Sequence, residues 1–243
     1  MTPTILPTTV TTDAEVADAT VAVLPVGSFE QHGPHLPLVT DTLVAVAITA
    51  AIAGQHHVLE LPPLTVSCSH EHAAFAGTIS ISATTLATIV ADITESLLHH
   101  GIEQLLVVNG HGGNYVLANI VQQANLAGRS HLGLYPMRDD WQQARSAAGM
   151  TSDAHEDMHA GELETSILLA AFPDFLRPGW EHDDHTCGDR RLLNVLGMAA
   201  HSSSGVIGLP SLATEAKGRA ALQRLADGAH TVLKVLNEAS SDG

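Results

Sequence analysis

The run Gln104 to Asn109, QLLVVN, passes without a break into Gly110-His111-Gly112-Gly113-Asn114 and then into a helix-compatible stretch. Six residues with Leu and Val in the middle and no polar alternation predict a strand buried on both faces. Such a strand needs helices above and below it, and the glycines let the chain turn at once into one. The pattern recurs. Residues 21–28, VAVLPVGS, form a second apolar run ending in Gly and Ser, and residues 29–40 hold too many Pro and Gly for a helix. From Asp41 to Ala53 the chain is Ala- and Val-rich, which predicts a buried helix with Thr40 as its N-cap.

Further strands are expected at 57–64 and 131–136, with an extended segment at 77–82. Helices are expected from Thr84 to His100, Tyr115 to Ala127, Gly161 to Ala171 and Thr214 to Glu238. Strand alternating with helix predicts an α/β fold with a mainly parallel sheet covered on both faces. No repeat or linker divides the 243 residues, so a single domain over 1–243 is expected.

Composition narrows the function. Ten basic residues against 26 acidic give a net charge of −16, and only Lys217 and Lys234 are lysines. With no basic stripe, neither nucleic acid nor an anionic membrane surface is an expected partner. Two cysteines make no disulfide framework, and no signal peptide or apolar run of spanning length is visible. A cytoplasmic setting is therefore expected. The unusual number is 16 histidines.

Three segments combine histidine with carboxylate. In the first, Glu30 and His32 flank Gln31, and Asp41 follows nine residues after His32. Residues two apart in extended backbone point to one side, so Glu30 and His32 converge while Asp41 arrives from the next helix. The second is Asn109 to Asn114, where a lone His111 sits between glycines. It matches neither G-x-G-x-x-G nor the phosphate loop with its lysine, which disfavours a nucleotide site. The third is His159-Ala-Gly-Glu162-Leu-Glu164-Thr-Ser166. On a helix Glu162 and Glu164 diverge, and an acidic first turn complementing the helix dipole is the plainer reading of both. Together the segments supply Glu30, His32, Asp41, His111 and either Glu162 or Glu164. Carboxylate with imidazole at strand ends is a ligand set for Zn, Mn or Fe, and a shared Asp suits two ions.

GSFEQHGPHLPLVTDT, NGHGGN and HAGELETS together resemble the signature segments of the creatininase (creatinine amidohydrolase) family, as do EHAAFAGTIS and SSGVIGLPSLATEAKG. The resemblance runs from about Val21 to Leu236. It implies a three-layer α/β/α sandwich, a homo-oligomer (a hexamer in many members) and two divalent ions, zinc first with manganese or iron as alternatives. The implied reaction is hydrolysis of a C–N amide bond by water activated at the ions. By position, Glu30, Asp41 and His111 resemble the ligands of one ion. His32 and Asp41 resemble those of the other, and His159 takes the place of the catalytic histidine. His72, Gly112 and Gly113 are expected near the substrate.

Two departures matter. Creatinine-cleaving members carry a glutamate ligand two residues after the NGH histidine, where this chain has Gly113; Glu164 is the first substitute and Glu162 the second. They also carry a tryptophan four residues before the catalytic histidine, where this chain has His155. The implied substrate is a small cyclic or linear amide, and His155 in place of the tryptophan weighs against creatinine itself. The alternatives are a precursor peptide of the mycofactocin type, a formamide, or no reaction at all in a metal-binding protein that has lost catalysis.

Overall fold

The computed structural model describes residues 3–13, 16, 18–126 and 131–240, with side chains through Glu238. Four strands, β1 (Val21–Val26), β2 (Leu59–Glu60), β3 (Gln104–Asn109) and β4 (Leu132–Tyr135), form one sheet among the described residues. All pairings are parallel and the order is β2-β1-β3-β4. The helices are α1 (Thr40–Ala53), α2 (Ala83–His99), α3 (Val116–Ala124), α4 (Arg138–Ala147), α5 (Glu162–Ala171), α6 (Leu193–Leu196) and α7 (Glu215–Ser240).

The period-2 pleat divides the apolar strands between two cores. Val21 and Val23 of β1, with Leu106 and Val108 of β3, pack against α1, α5 and α7. Ala22, Leu24, Leu105 and Val107 face the opposite way onto Leu86, Val90 and Leu117 of α2 and α3. Burying each Val or Leu contributes about 1.5–3 kcal/mol, so both faces need covering. The result is a helix–sheet–helix sandwich, as the strand pattern predicts.

Several local expectations are corrected. Thr40 lies inside α1 and its hydroxyl donates to the Pro37 carbonyl (2.7 Å); Val39 takes the cap position. The strand expected at 57–64 is regular only at Leu59 and Glu60; Pro62 and Pro63 have no N–H for a ladder, and pairing with β1 resumes as a single bridge between Leu64 and Val26. The Ser82 hydroxyl accepts from the Thr85 N–H and caps α2. Helix α4 is not anticipated: only Ala144 and Arg145 of its ten residues are buried, and Trp141 is its one large apolar side chain. The expected end of α3 at Ala127 lies outside the described residues.

Candidate metal centre

β1 and β3 are neighbours and parallel, with Val26 opposite Asn109. Their carboxyl ends therefore release residues 27–39 and 110–114 side by side, the usual ligand position of an open α/β sheet. Gly110 lets the loops close together: a Cβ there would stand 2.2 Å from the Asp41 carbonyl oxygen. A third segment arrives before α5. His159 pairs in both directions with Ile207, at 2.9 and 3.0 Å. Asp157 fixes that helix from outside it, its carboxylate accepting from the Glu162 and Leu163 N–H groups and from Arg145. Between them Ala160 takes φ 55°, a left-handed conformation rare for a residue with a Cβ.

These segments bring together Glu30, His32, Asp41, His111, His159 and Glu164. Asp41 is central. Its Oδ1 lies 3.0 Å from His32 Nε2 and its Oδ2 lies 2.9 Å from His111 Nδ1. The Ser28 hydroxyl also donates to Oδ2 (2.6 Å). Glu30 stands opposite, with Oε2 3.2 Å from His111 Nε2 and Oε1 3.3 Å from His72 Nε2. Among the described residues, donor atoms fall into three compact groups: Glu30, Asp41 and His111; His32, His159 and Glu164; and Glu30, His72 and His159.

Backbone contacts orient the rings. His32 Nδ1–H donates to the Glu30 carbonyl (3.1 Å), which leaves Nε2 facing Asp41. His159 Nε2–H donates to the Gln31 carbonyl (2.8 Å) and leaves Nδ1 facing the cluster, 3.9 Å from Glu30 Oε1. His111 Nε2–H donates to the Cys68 carbonyl (2.8 Å), so Nδ1 faces Asp41.

Burial and charge then act against each other. Burial, reinforced by the charge of Asp41, pushes Glu30 up to about 8. Burial opposes the charge on His111, yet Glu30 and Asp41 together hold it at about 10. His32 is likewise opposed by burial but held at about 9 by Asp41. The burial cost on Asp41 is outweighed by His32 and His111, which keep its carboxyl well below the usual range. Burial and two neighbouring rings depress His159 far below an ordinary imidazole, and His72 falls to about 3 for similar reasons. Burial raises Glu164 to about 7.

Neither oxygen of fully buried Glu30 makes a hydrogen bond; the nearby imidazole nitrogens are close but not aligned for one. Two buried oxygens without a hydrogen bond are donor atoms suited to a bound cation. With hard carboxylates and imidazoles around it, the donor set fits Zn, Mn or Fe.

Other expected site residues are placed differently. Glu162 accepts from Ser152, pairs with Lys217 and belongs to none of the three donor groups. His72 joins the Glu30 network and does not line the cavity of about 680 Å³ beside His111. Gly112 borders that cavity, which also meets His111, Glu164, Trp141 and His155. Gly113 does not line it; a Cβ there would meet Glu71 and His111. His35 pairs with Asp183 (3.1 Å), and Asp184 accepts from Ser211. Ser28 and Gln31 join the site without a motif of their own. Gln31 Nε2 lies 2.9 Å from His72 Nδ1 and 3.1 Å from His159 Nε2, a reach that its place between two expected ligands alone suggests.

Comparison with known proteins identifies the family. The family model described as Creatininase: Creatinine amidohydrolase matches residues 8–233. The chain is 36% identical over 218 residues to a mycofactocin precursor peptide peptidase of Mycobacterium ulcerans, covering 84% of this chain and 81% of the relative. It is 30% identical over 173 residues to the creatinine amidohydrolase of Pseudomonas putida, covering 64% and 66%. A solved manganese form of creatininase shares the fold at TM-score 0.73 and 24% identity, over 90% of this chain and 92% of the other. With its sheet, its carboxylate–histidine cluster and a family match from residue 8 to residue 233, this chain belongs to the creatininase family of amidohydrolases.

Proposed function

We propose that the chain hydrolyses a C–N amide bond of a peptide at two divalent ions. The observation that carries the reading is the buried Glu30 carboxylate with no hydrogen-bond partner, set beside an Asp41 shared between His32 and His111. Glu30, Asp41 and His111 would hold one ion; His32, Asp41 and Glu164 would hold the other. When bound, the ions supply Lewis-acid polarisation of the amide carbonyl and water acidic enough to act at neutral pH.

The remaining work falls to side chains. Asp41 offers one oxygen to each set, which ties their spacing together. His32 and His111 are locked by carbonyl contacts, so their free nitrogens need no reorganisation. His159 is neutral at pH 7, because burial and the nearby rings disfavour its charge. Its Nδ1 takes the proton of the attacking water and passes it to the departing nitrogen.

Two observations favour a peptide over a small cyclic amide. The cavity beside His111 and Glu164 measures about 680 Å³, within the range of pockets for ligands much larger than a single small ring. The relative from M. ulcerans, matched over 84% of this chain, is named for a peptide substrate.

The test is a purification without chelator, a count of Zn, Mn and Fe per chain, and a panel of short peptides, formamides and creatinine. Near two ions with peptide cleavage is the expected result. His159→Ala should keep its ions and lose roughly 10²- to 10⁴-fold in turnover. Unchanged turnover in that variant removes His159 from the reaction. One ion and no hydrolysis of any amide favours a metal-binding protein without catalysis.

A further inference from the structure

Gly113 is glycine for reasons of space. It is absent from the glycines with positive φ, so its backbone does not require it. A Cβ at this position would stand 2.1 Å from Glu71 Oε1 and 2.4 Å from His111 Nε2. A carboxylate from a distant segment thus fills the place where a side chain at 113 would begin.

Glu71 sits on the short turn His70–His72, whose third residue reaches Glu30. Its Oε1 lies 3.7 Å from His111 Nε2, and its side chain is only 16% exposed. Among the described residues the carboxylate makes no hydrogen bond, and its one ion-pair contact is His111. The ring thus has Asp41 at Nδ1 (2.9 Å) and two acids beside Nε2, Glu30 at 3.2 Å and Glu71 at 3.7 Å. Negative charge at the Nε2 edge favours the proton there, where the Cys68 carbonyl accepts it. Nδ1 is then left facing Asp41.

Resting on the metal reading above, we propose that Glu71 is a positioning residue of the centre: its carboxylate, admitted by the missing side chain at Gly113, holds His111 with Nδ1 turned toward the ion. A turn before α2 thereby supplies a carboxylate that the NGHGGN loop lacks.

The test uses the full chain and zinc, titrated in competition with a chromophoric chelator, with cobalt absorption as the second readout. Glu71→Gln keeps the shape and removes the charge. It should weaken one zinc site by roughly 10- to 100-fold. The cobalt coordination number and the melting temperature of the metal-free protein should stay as in the wild type. Glu71→Asp, which keeps the charge, should recover part of the loss, and His70→Gln on the same turn should bind like wild type. Wild-type zinc affinity in Glu71→Gln overturns the assignment. A changed cobalt coordination number also overturns it, in favour of direct ligation. Equal loss in His70→Gln reduces the effect to loosening of the turn. If the wild-type chain takes up no zinc, the metal reading itself fails.

Discussion

Glu162 and Glu164 stand two residues apart in the first turn of α5 and face different chemistry. At 3.6 residues per turn their side chains leave the helix about 200° apart. Glu164 points toward His32 and accepts the Ala160 N–H (2.6 Å), while fully buried Glu162 pairs with Lys217 and Ser152. The two alanine variants should therefore separate. Glu164→Ala is expected to weaken metal binding with a small change in stability. Glu162→Ala is expected to leave metal binding intact and to cost roughly 2–3 kcal/mol, since it strands a partly buried ammonium and a hydroxyl. Zinc titration together with urea unfolding of both variants checks this, and metal loss confined to Glu162→Ala would reverse the assignment. Sequence spacing shows that the two must diverge. Which of them points inward depends on where the helix starts, and that is decided by Asp157 taking the Glu162 and Leu163 N–H groups.

At the scale of elements, strands were easier to read than short polar helices. QLLVVN and VAVLPV announce themselves because both faces of each strand are buried. Helix α4 does not, because RDDWQQARSA buries so little; its start is marked only by Asp140 accepting the Met137 N–H (2.9 Å). Contacts between elements also carry pH sensitivity. His56, just after α1, stacks with His230 of α7 at 5.8 Å. Burial, and then the charge of His230, depress His56 below its ordinary value of 6.5. The folded state thus binds a proton less readily there than the unfolded chain does. This contribution to stability is fully present above pH 6.5 and is lost as the pH falls through that value toward the lower folded pKa. His56→Gln should therefore show a smaller drop in melting temperature between pH 7.5 and 5.5 than wild type does. Parallel slopes in thermal melts at the two pH values would exclude the pair as a contributor.

For the whole molecule, the centre joins both strand-end loops to the segment before α5, so an ion bound there links three parts of the chain. A ligand bound only by the folded state at 100 times its Kd contributes about 2.7 kcal/mol. For a domain of this size that corresponds to roughly 5–10 °C in Tm for each ion. Chelator should lower the melting temperature by at least this much and added zinc should restore it; an unchanged melt would show that the cluster is assembled without metal. Light scattering on the same sample reads assembly, and the homo-oligomer implied by the family resemblance requires a mass well above 25.4 kDa. No helix among the described residues is long and apolar enough to cross a membrane.

By itself the sequence determined the strand–helix alternation, the parallel sheet and the three segments rich in carboxylate and histidine. Those depend on residue type and short-range periodicity, which are written along the chain. The tertiary structure decided what lies between segments: Glu164 and not Glu162 beside His32, His72 on Glu30, and Glu71 in the space left by Gly113. Each is a contact between residues far apart in the chain or on opposite sides of a helix. Its existence depends on how two loops leave a shared sheet edge, which no local pattern encodes.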